Sequence, residues 1–350
     1  MVSFWQSSLW SDILTQTHQA EVITFSSWNH TIIIERRKIW RNYTGLYILG
    51  VDRALITEAL VSSLRSEVVQ KWDLFLQVEP IDEVEEDRKQ KTENRNDYIV
   101  NPSLLFILFY FFFGRKAPFR RFIEPVTAIL NLEDISEGAL LASFAEKGRY
   151  NIRLAQKRGV KSRFILSSTE YQVPSTEIGT EASRNSELGA KTYIEAFYDL
   201  LDETTRRDGF AHNSLEYYQH FVETLEENNA GWLLVAEKDG ILHAAGIFVY
   251  QGGNAVYYYG ASSSNPAIRR NMATYLLQWE AIREAMRRNC KTYDFLWISE
   301  DWSAKLAGVT EFKLRFNPEK VRLPDERVVV YKPFILKLLQ VVSKVRKLLL

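Results

Sequence analysis

The sequence predicts a mixed α/β protein built from two copies of one unit, and three observations lead there. Apolar runs of strand length come in groups of three, twice along the 350 residues. Each group is followed by a stretch whose apolar residues recur at helical spacing, and then by one more strand-like run. Each group is also preceded by a helical stretch, so the succession is α-βββ-α-β both times.

In the second copy, Trp232 to Glu237 and Ile241 to Tyr250 are apolar runs joined by Lys238-Asp239-Gly240. Gln251-Gly252-Gly253-Asn254 then leads into AVYYYGA. Short Gly-containing joins between such runs signal antiparallel hairpins. Asn265 can cap a following helix and Pro266 suits its first turn. Met272, Tyr275, Leu276, Trp279, Ile282 and Met286 recur at helical spacing, Glu284 is placed to pair with Arg288, and TYDFLWIS closes the unit. In the first copy AEVITF, TIIIERRKI and TGLYILG read as strands, Ala54 to Trp72 as the helix and LFLQVE as the closing strand. Ser8 to Thr17 and Tyr193 to Glu226 are the preceding helical stretches. This succession is the core of the GNAT-like (acyl-CoA N-acyltransferase-like) fold. The expectation is two GNAT-like domains with mixed sheets and flanking helices: residues 1–145, completed by 318–350, and residues 146–317.

Composition narrows the function. Lysine plus arginine equals aspartate plus glutamate, 44 against 44, which argues against a general nucleic-acid coat but permits a local basic footprint. The single cysteine, Cys290, excludes an internal disulfide and fits a reducing compartment. The start, MVSFWQSSLWSD, has neither a basic region nor an apolar core of a signal peptide, so a cytoplasmic location is expected. The run LLFILFYFFF, Leu104 to Phe113, falls short of the roughly 18 to 20 residues that span a bilayer. Burial inside the protein and contact with lipid are both compatible with it. Glu83 to Asp97 and Ser175 to Gly189 are loop-like in composition.

Two stretches concentrate positive charge. KGRYNIRLAQKRGVKSR, Lys147 to Arg163, carries seven basic residues among seventeen and no acid. Arg149, Arg153 and Lys157 lie at i, i+4 and i+8, which aligns three cations along one side of a helix, either as a solvated face or as a landing place for a polyanion. At the other end, YKPFILKLLQVVSKVRKLLL (Tyr331 to Leu350) alternates apolar positions near helical spacing with Lys337, Lys344, Arg346 and Lys347. Such a helix either lies on anionic lipid, a peripheral contact with the inner membrane surface, or docks on the first domain.

Nine ordered stretches together resemble the FemAB family, the Fem aminoacyltransferases that build interpeptide bridges in peptidoglycan. They are FWQSSLW from Phe4, FLQVEP from Phe75, EPVTAILNLE from Glu124, GRYNIRLAQKRGV from Gly148, TTRRDGF from Thr204, YYYGASS from Tyr257, NMATYLLQWEAI from Asn271, YDFLWI from Tyr293 and EFKLRF from Glu311. The chain departs from the family at Val51, where proline is common after the glycine, and at Asp12 and Leu14, where lysine is often found. The resemblance implies transfer of an aminoacyl group from aminoacyl-tRNA to a stem-peptide amine of a peptidoglycan precursor, lipid II or UDP-MurNAc-pentapeptide. It implies no cofactor.

The same resemblance assigns roles. Lys313 matches the family's Phe-Lys motif, whose lysine is associated with the reaction centre, and a cation suits the oxyanion that forms when an amine attacks an ester. Arg207 matches an arginine that holds the precursor's diphosphate or carboxylate, which a planar guanidinium can grip in bidentate fashion; an ion pair with Asp208 is the plainer reading. Tyr257 and Tyr259 alternate on one strand, so a shared face lining the substrate groove is expected, with core packing as the alternative. The basic stripe becomes a candidate tRNA contact. The five histidines lack metal-ligand spacing, so no metal is assigned. A coenzyme A dependent N-acyltransferase is the competing enzyme class. Its pyrophosphate signature is matched here only by RRNMAT, Arg269 to Thr274, with Met272 at a glycine position. A non-catalytic tRNA-binding or membrane-surface protein of the same fold is the third reading.

Overall fold

The computed structural model describes residues 3–27, 30–81, 122–171, 191–300 and 307–349. The loop-like stretches 83–97 and 175–189 and the apolar run 104–113 lie outside the described residues. The chain divides into two compact units, Met1–Pro125 with Arg322–Leu350, and Val126–Val321.

In the first unit α1 (Ser8–Gln16) precedes β1 (Glu21–Ser27), β2 (His30–Trp40) and β3 (Tyr43–Val51), followed by α2 (Glu58–Glu67) and β4 (Asp73–Pro80). Side chains start both helices: Ser7 accepts from the Trp10 N–H and Thr57 from the Leu60 N–H. Ile32, Ile34, Leu46, Ile48, Leu76 and Val78 of the sheet pack in one cluster with Leu60 and Leu64 of α2. The chain returns at its end to add β14 (Arg327–Val330) antiparallel to β4, giving the order β1-β2-β3-β4-β14, and finishes in α10 (Pro333–Leu349).

The second unit opens with β5 (Val126–Asn131), α3 (Glu137–Ser143), α4 (Glu146–Lys157) and β6 (Lys161–Ile165), then the short pair β7 (Glu170–Tyr171) and β8 (Lys191–Thr192). The expected helix over 193–226 is two helices, α5 (Tyr193–Asp208) and α6 (Leu215–Glu227), because Gly209 ends α5 in the left-handed conformation and Ser214 caps a new start. The hairpins β9 (Gly231–Lys238), β10 (Ile241–Gln251) and β11 (Asn254–Ser262) follow, then α7 (Pro266–Arg269), α8 (Ala273–Arg287), β12 (Thr292–Trp297), α9 (Ala307–Leu314) and β13 (Glu319–Arg322). The sheet runs β13-β5-β12-β11-β10-β9-β6.

Two further differences from expectation have physical causes. Asn265 and Pro266 cap only the four-residue α7. Met272 takes φ 56° and breaks the chain before α8, which therefore starts without a side-chain cap. Residues 126–145 belong to the second unit rather than the first, since β5 pairs with β12, Leu130 opposite Tyr293, a partner too distant in sequence for local periodicity to reveal. The C-terminal return to the first unit begins at Arg322.

Candidate functional site

The second sheet opens at one place. β11 and β12 run parallel and pair through Asn254–Thr292, Ala255–Tyr293 and Val256–Asp294; no pairing between them follows Asp294. From that point β12 bulges, with one extra residue between Asp294 and Trp297 relative to β5, and Leu296 takes φ 58°. The Asp294 carboxylate braces the bulge, accepting from the Leu296 N–H at 2.7 Å and from the Thr127 hydroxyl. Ends of parallel strands that separate are where α/β sheets leave room for ligands.

Lys313 reaches this place from α9. Phe312 beside it packs on Tyr275 and Phe316, with ring centroids 5.0 and 5.6 Å away, which fixes the helix. The Lys313 amine is buried, at 4% exposure, donates to the Trp297 carbonyl at 2.8 Å and lies 4.6 Å from the Trp297 ring. Burial pulls its pKa down to about 7, against the opposing pull of Asp294. Burial likewise pushes Asp294 up to about 6, against the Thr127 and Leu296 hydrogen bonds and the charge of Lys313. An acid and an amine shifted toward neutrality, each felt by the other's charge at the end of the parted strands, are the kind of perturbed groups that mark a candidate reaction centre. Asp294, Thr127 and Leu296 were not singled out by the sequence: YDFLWI carries the aspartate, but nothing local marks the bulge.

Arg207, in the last turn of α5, forks its Nε and Nη2 onto Asp208 at 2.8 and 2.9 Å, and Nη1 donates to the Ser262 carbonyl at 3.0 Å. Its neighbours fasten the same place: Thr204 exchanges hydrogen bonds with both backbone groups of Ser262, and Glu203 accepts from the Ser264 N–H at 2.6 Å. Arg207 therefore stands at the carboxyl end of β11, as Lys313 stands at the carboxyl end of β12, and it already holds an anion.

Tyr257 and Tyr259 do not share a face. Phe248 pairs with Tyr257 and its neighbour Ile247 with Tyr259, so Tyr258 is the extra residue of a bulge, and the alternation inverts across it. Tyr257 stacks on Phe248 at 5.3 Å, with burial pushing its hydroxyl up to about 12. A Cβ built on Gly260 would meet the Tyr257 hydroxyl at 1.6 Å, so only glycine admits the ring there. Tyr259 faces α6, with its hydroxyl 2.9 Å from that of Tyr217.

The basic stripe is also rearranged. Arg149 turns back to the carbonyls of Ala142 and Phe144, where it caps α3 rather than facing outward. Arg153 and Lys157 are exposed, and Tyr150, 60% exposed, lies on their side of α4 at the i, i+3, i+7 spacing. A Cβ on Gly148 would meet the Arg315 carbonyl at 2.3 Å, so the GRYN start of α4 packs directly on the chain after α9. In the RRNMAT loop, Met272 packs on the core and Arg158 donates to the Arg270 carbonyl. No cluster of potential metal ligands occurs among the described residues, and no helix among them is long and apolar enough to cross a membrane.

Two units of one succession, the second opened between its parallel strands, define the class: a protein of two GNAT-like domains. The chain belongs to the FemAB family, whose model matches residues 1–240 and 226–344. It is 26% identical over 193 residues to aminoacyltransferase FemA of Staphylococcus aureus (strain MRSA252), a match covering 54% of this chain and 43% of that relative's length. Among solved structures, FemX superposes with a TM-score of 0.69 at 16% identity, covering 97% of this chain and 94% of that one. The C-terminal domain of a putative lysylphosphatidylglycerol synthetase from Agrobacterium fabrum reaches 0.50 at 12% identity, covering 95% and 90%. At these identities the structural likeness is one of fold.

Proposed function

We propose that this protein is an aminoacyltransferase of cell-wall bridge formation, moving an aminoacyl group from aminoacyl-tRNA to the stem-peptide amine of a peptidoglycan precursor, lipid-linked or UDP-linked. Membership in the FemAB family supports the class of reaction. The observation that carries the site is the buried Lys313 amine, poised near neutrality beside Asp294 where β11 and β12 part. In the reaction, the acceptor nitrogen bonds to the ester carbon, the carbon–oxygen bond to the tRNA ribose breaks, and the proton lost by the amine ends on the ribose oxygen. Lys313 in its charged form stabilises the oxyanion or the departing oxygen, and Asp294 keeps that charge in place. Arg207 holds the precursor by exchanging Asp208 for a diphosphate or carboxylate. Tyr257 lines the acceptor's path, while Arg153 and Lys157, with Tyr150, take tRNA phosphates and a stacked base. The reaction is cytoplasmic. The coenzyme A signature has glycine where this chain has Met272, and that departure favours tRNA over coenzyme A as donor.

The test is to incubate the protein with a panel of charged tRNAs, with acetyl coenzyme A as the competing donor, and with both precursor forms, and to weigh the product. A precursor heavier by one aminoacyl residue is expected. Acylation from coenzyme A alone, or no product with any charged tRNA from folded protein, would overturn the reading.

A further inference from the structure

The first unit keeps large apolar side chains in water at one end of its sheet. Trp40 and Tyr43 close the β2–β3 hairpin as a cross-strand pair, stacked at 6.4 Å and 4°, and the Tyr43 ring meets that of Trp72 at 5.3 Å. Trp40 is 45% exposed and Trp72 40%. Each indole carries its own cation: the Arg41 guanidinium lies 4.6 Å from the Trp40 ring and the Lys71 amine 5.4 Å from that of Trp72. Aromatic rings with one polar edge, flanked by cations, match the chemistry of a bilayer's headgroup layer.

The C-terminal helix starts at the same place. The N–H groups of Tyr331 and Lys332 donate to the Leu74 carbonyl at 2.8 and 3.1 Å, and the Lys332 amine donates to the Lys71 carbonyl. α10 then buries Leu336 and Leu339, at 6% exposure each, while Phe334, Leu338, Val341 and Val342 are 73, 63, 46 and 50% exposed at the i, i+4, i+7, i+8 spacing of a second stripe. The helix thus docks through one face and leaves a second apolar face exposed. Charge points the same way. Residues 331–350 carry five lysines and arginines and no acid, and residues 40–44 and 68–72 add Arg41 and Lys71 with no acid, in a chain of net charge zero.

From this we infer that the Trp40–Tyr43–Trp72 cluster and the outward stripe of α10 form one docking surface for an anionic lipid bilayer. RNA could use the rings and the cations, but an aliphatic stripe offers a polyanion nothing, whereas a bilayer uses all three. The surface goes beyond the proposed reaction and is read without it.

Sedimentation of the full chain with phosphatidylcholine vesicles, with and without phosphatidylglycerol, tests the inference. Binding to the anionic vesicles is expected, weakened by salt and accompanied by a blue shift of tryptophan fluorescence. The double variants Trp40→Ala/Trp72→Ala and Leu338→Asp/Val342→Asp should each lower partitioning about tenfold or more, since each removes two apolar side chains from the bilayer contact. Unchanged circular dichroism and thermal unfolding establish that both variants remain folded, and tRNA affinity should be unchanged in both. Failure of the wild type to bind anionic vesicles, equal sedimentation of wild type and folded variants, or loss of tRNA binding in the variants would each overturn it.

Discussion

The parallel pairs of the two units invite comparison, because they are the same element of the same succession. In the first, β3 and β4 stay paired from Thr44 opposite Asp73 to Val51 opposite Pro80. In the second, β11 and β12 pair for three residues and part. Each pair holds a carboxylate in its ladder. Asp73, with no exposure, accepts from the Arg36 Nε and Nη2 at 3.2 and 3.3 Å, the Thr44 hydroxyl at 2.6 Å and the Gln70 N–H at 2.8 Å. Its acceptor sites are filled and its countercharge is a guanidinium held in place by two hydrogen bonds. Asp294 instead faces a lysine that titrates near 7. The closed copy uses its charge to hold the sheet together; in the opened copy the carboxylate braces a bulge and has no guanidinium fixed on it.

The sharpest way to break that contrast is Asp73→Ala, which takes from Arg36 its buried counterion and leaves it the exposed Glu21 carboxylate and the Val68 carbonyl. A loss of about 3–5 kcal/mol from the first unit is expected, the range for removing one partner of a buried pair. Urea unfolding with hydrogen exchange in β2 to β4 measures it. A loss under about 1 kcal/mol would mean that the network contributes no more than a surface pair.

Lys313→Met is the complementary change. Turnover should fall roughly 10² to 10³, the range for one lost stabilising donor, with the fold retained. Stability should hold or rise by up to a few kcal/mol. The unfolded lysine titrates near 10.5 and the folded one near 7, so between those values the unfolded chain binds the extra proton and stability climbs with pH. Methionine abolishes that climb. On the proposed mechanism the same proton governs rate: wild-type single-turnover transfer should lose its lysine-dependent part as pH rises through about 7, and the variant should lack that limb. Near-normal turnover in the folded variant would remove Lys313 from the mechanism.

The strands of both units were legible because alternation and Gly-containing joins are local signals, and Glu284 does pair with Arg288 at 2.9 Å. β5 was not, since what makes it a strand is Tyr293, far along the chain. The site was legible only through its motif residue. Lys313 stands in EFKLRF, but its depressed pKa follows from burial under a bulge that no periodicity announces. The tyrosines show the same limit: one extra residue at Tyr258 inverts the faces, and YYYG reads alike with or without it.

That inversion yields the next expectation. Tyr259→Phe removes a hydroxyl bonded to Tyr217 and should cost about 1 kcal/mol of stability while sparing acceptor affinity. Tyr257→Phe should leave stability nearly unchanged and raise the acceptor KM a few-fold. Thermal unfolding and acceptor titration distinguish them, and equal behaviour would mean that the bulge does not separate their roles.

The smallest effect concerns α4, where the stripe divides into a structural and a solvent-facing part. Arg153→Gln with Lys157→Gln should lower tRNA affinity and reduce the slope of its logarithm against log salt by about 1 to 2, since each phosphate contact contributes roughly 0.7 to 0.9. The two side chains are exposed, so stability should move by less than about 0.5 kcal/mol. Arg149→Gln should do the reverse, because its guanidinium serves the carbonyls of Ala142 and Phe144. Removing a charged donor there should cost roughly 1 to 2 kcal/mol and leave the salt slope alone. Filter binding across a salt series, alongside thermal unfolding, measures both. An unchanged slope in the folded double variant would leave Arg153 and Lys157 as an ordinary solvated helix face.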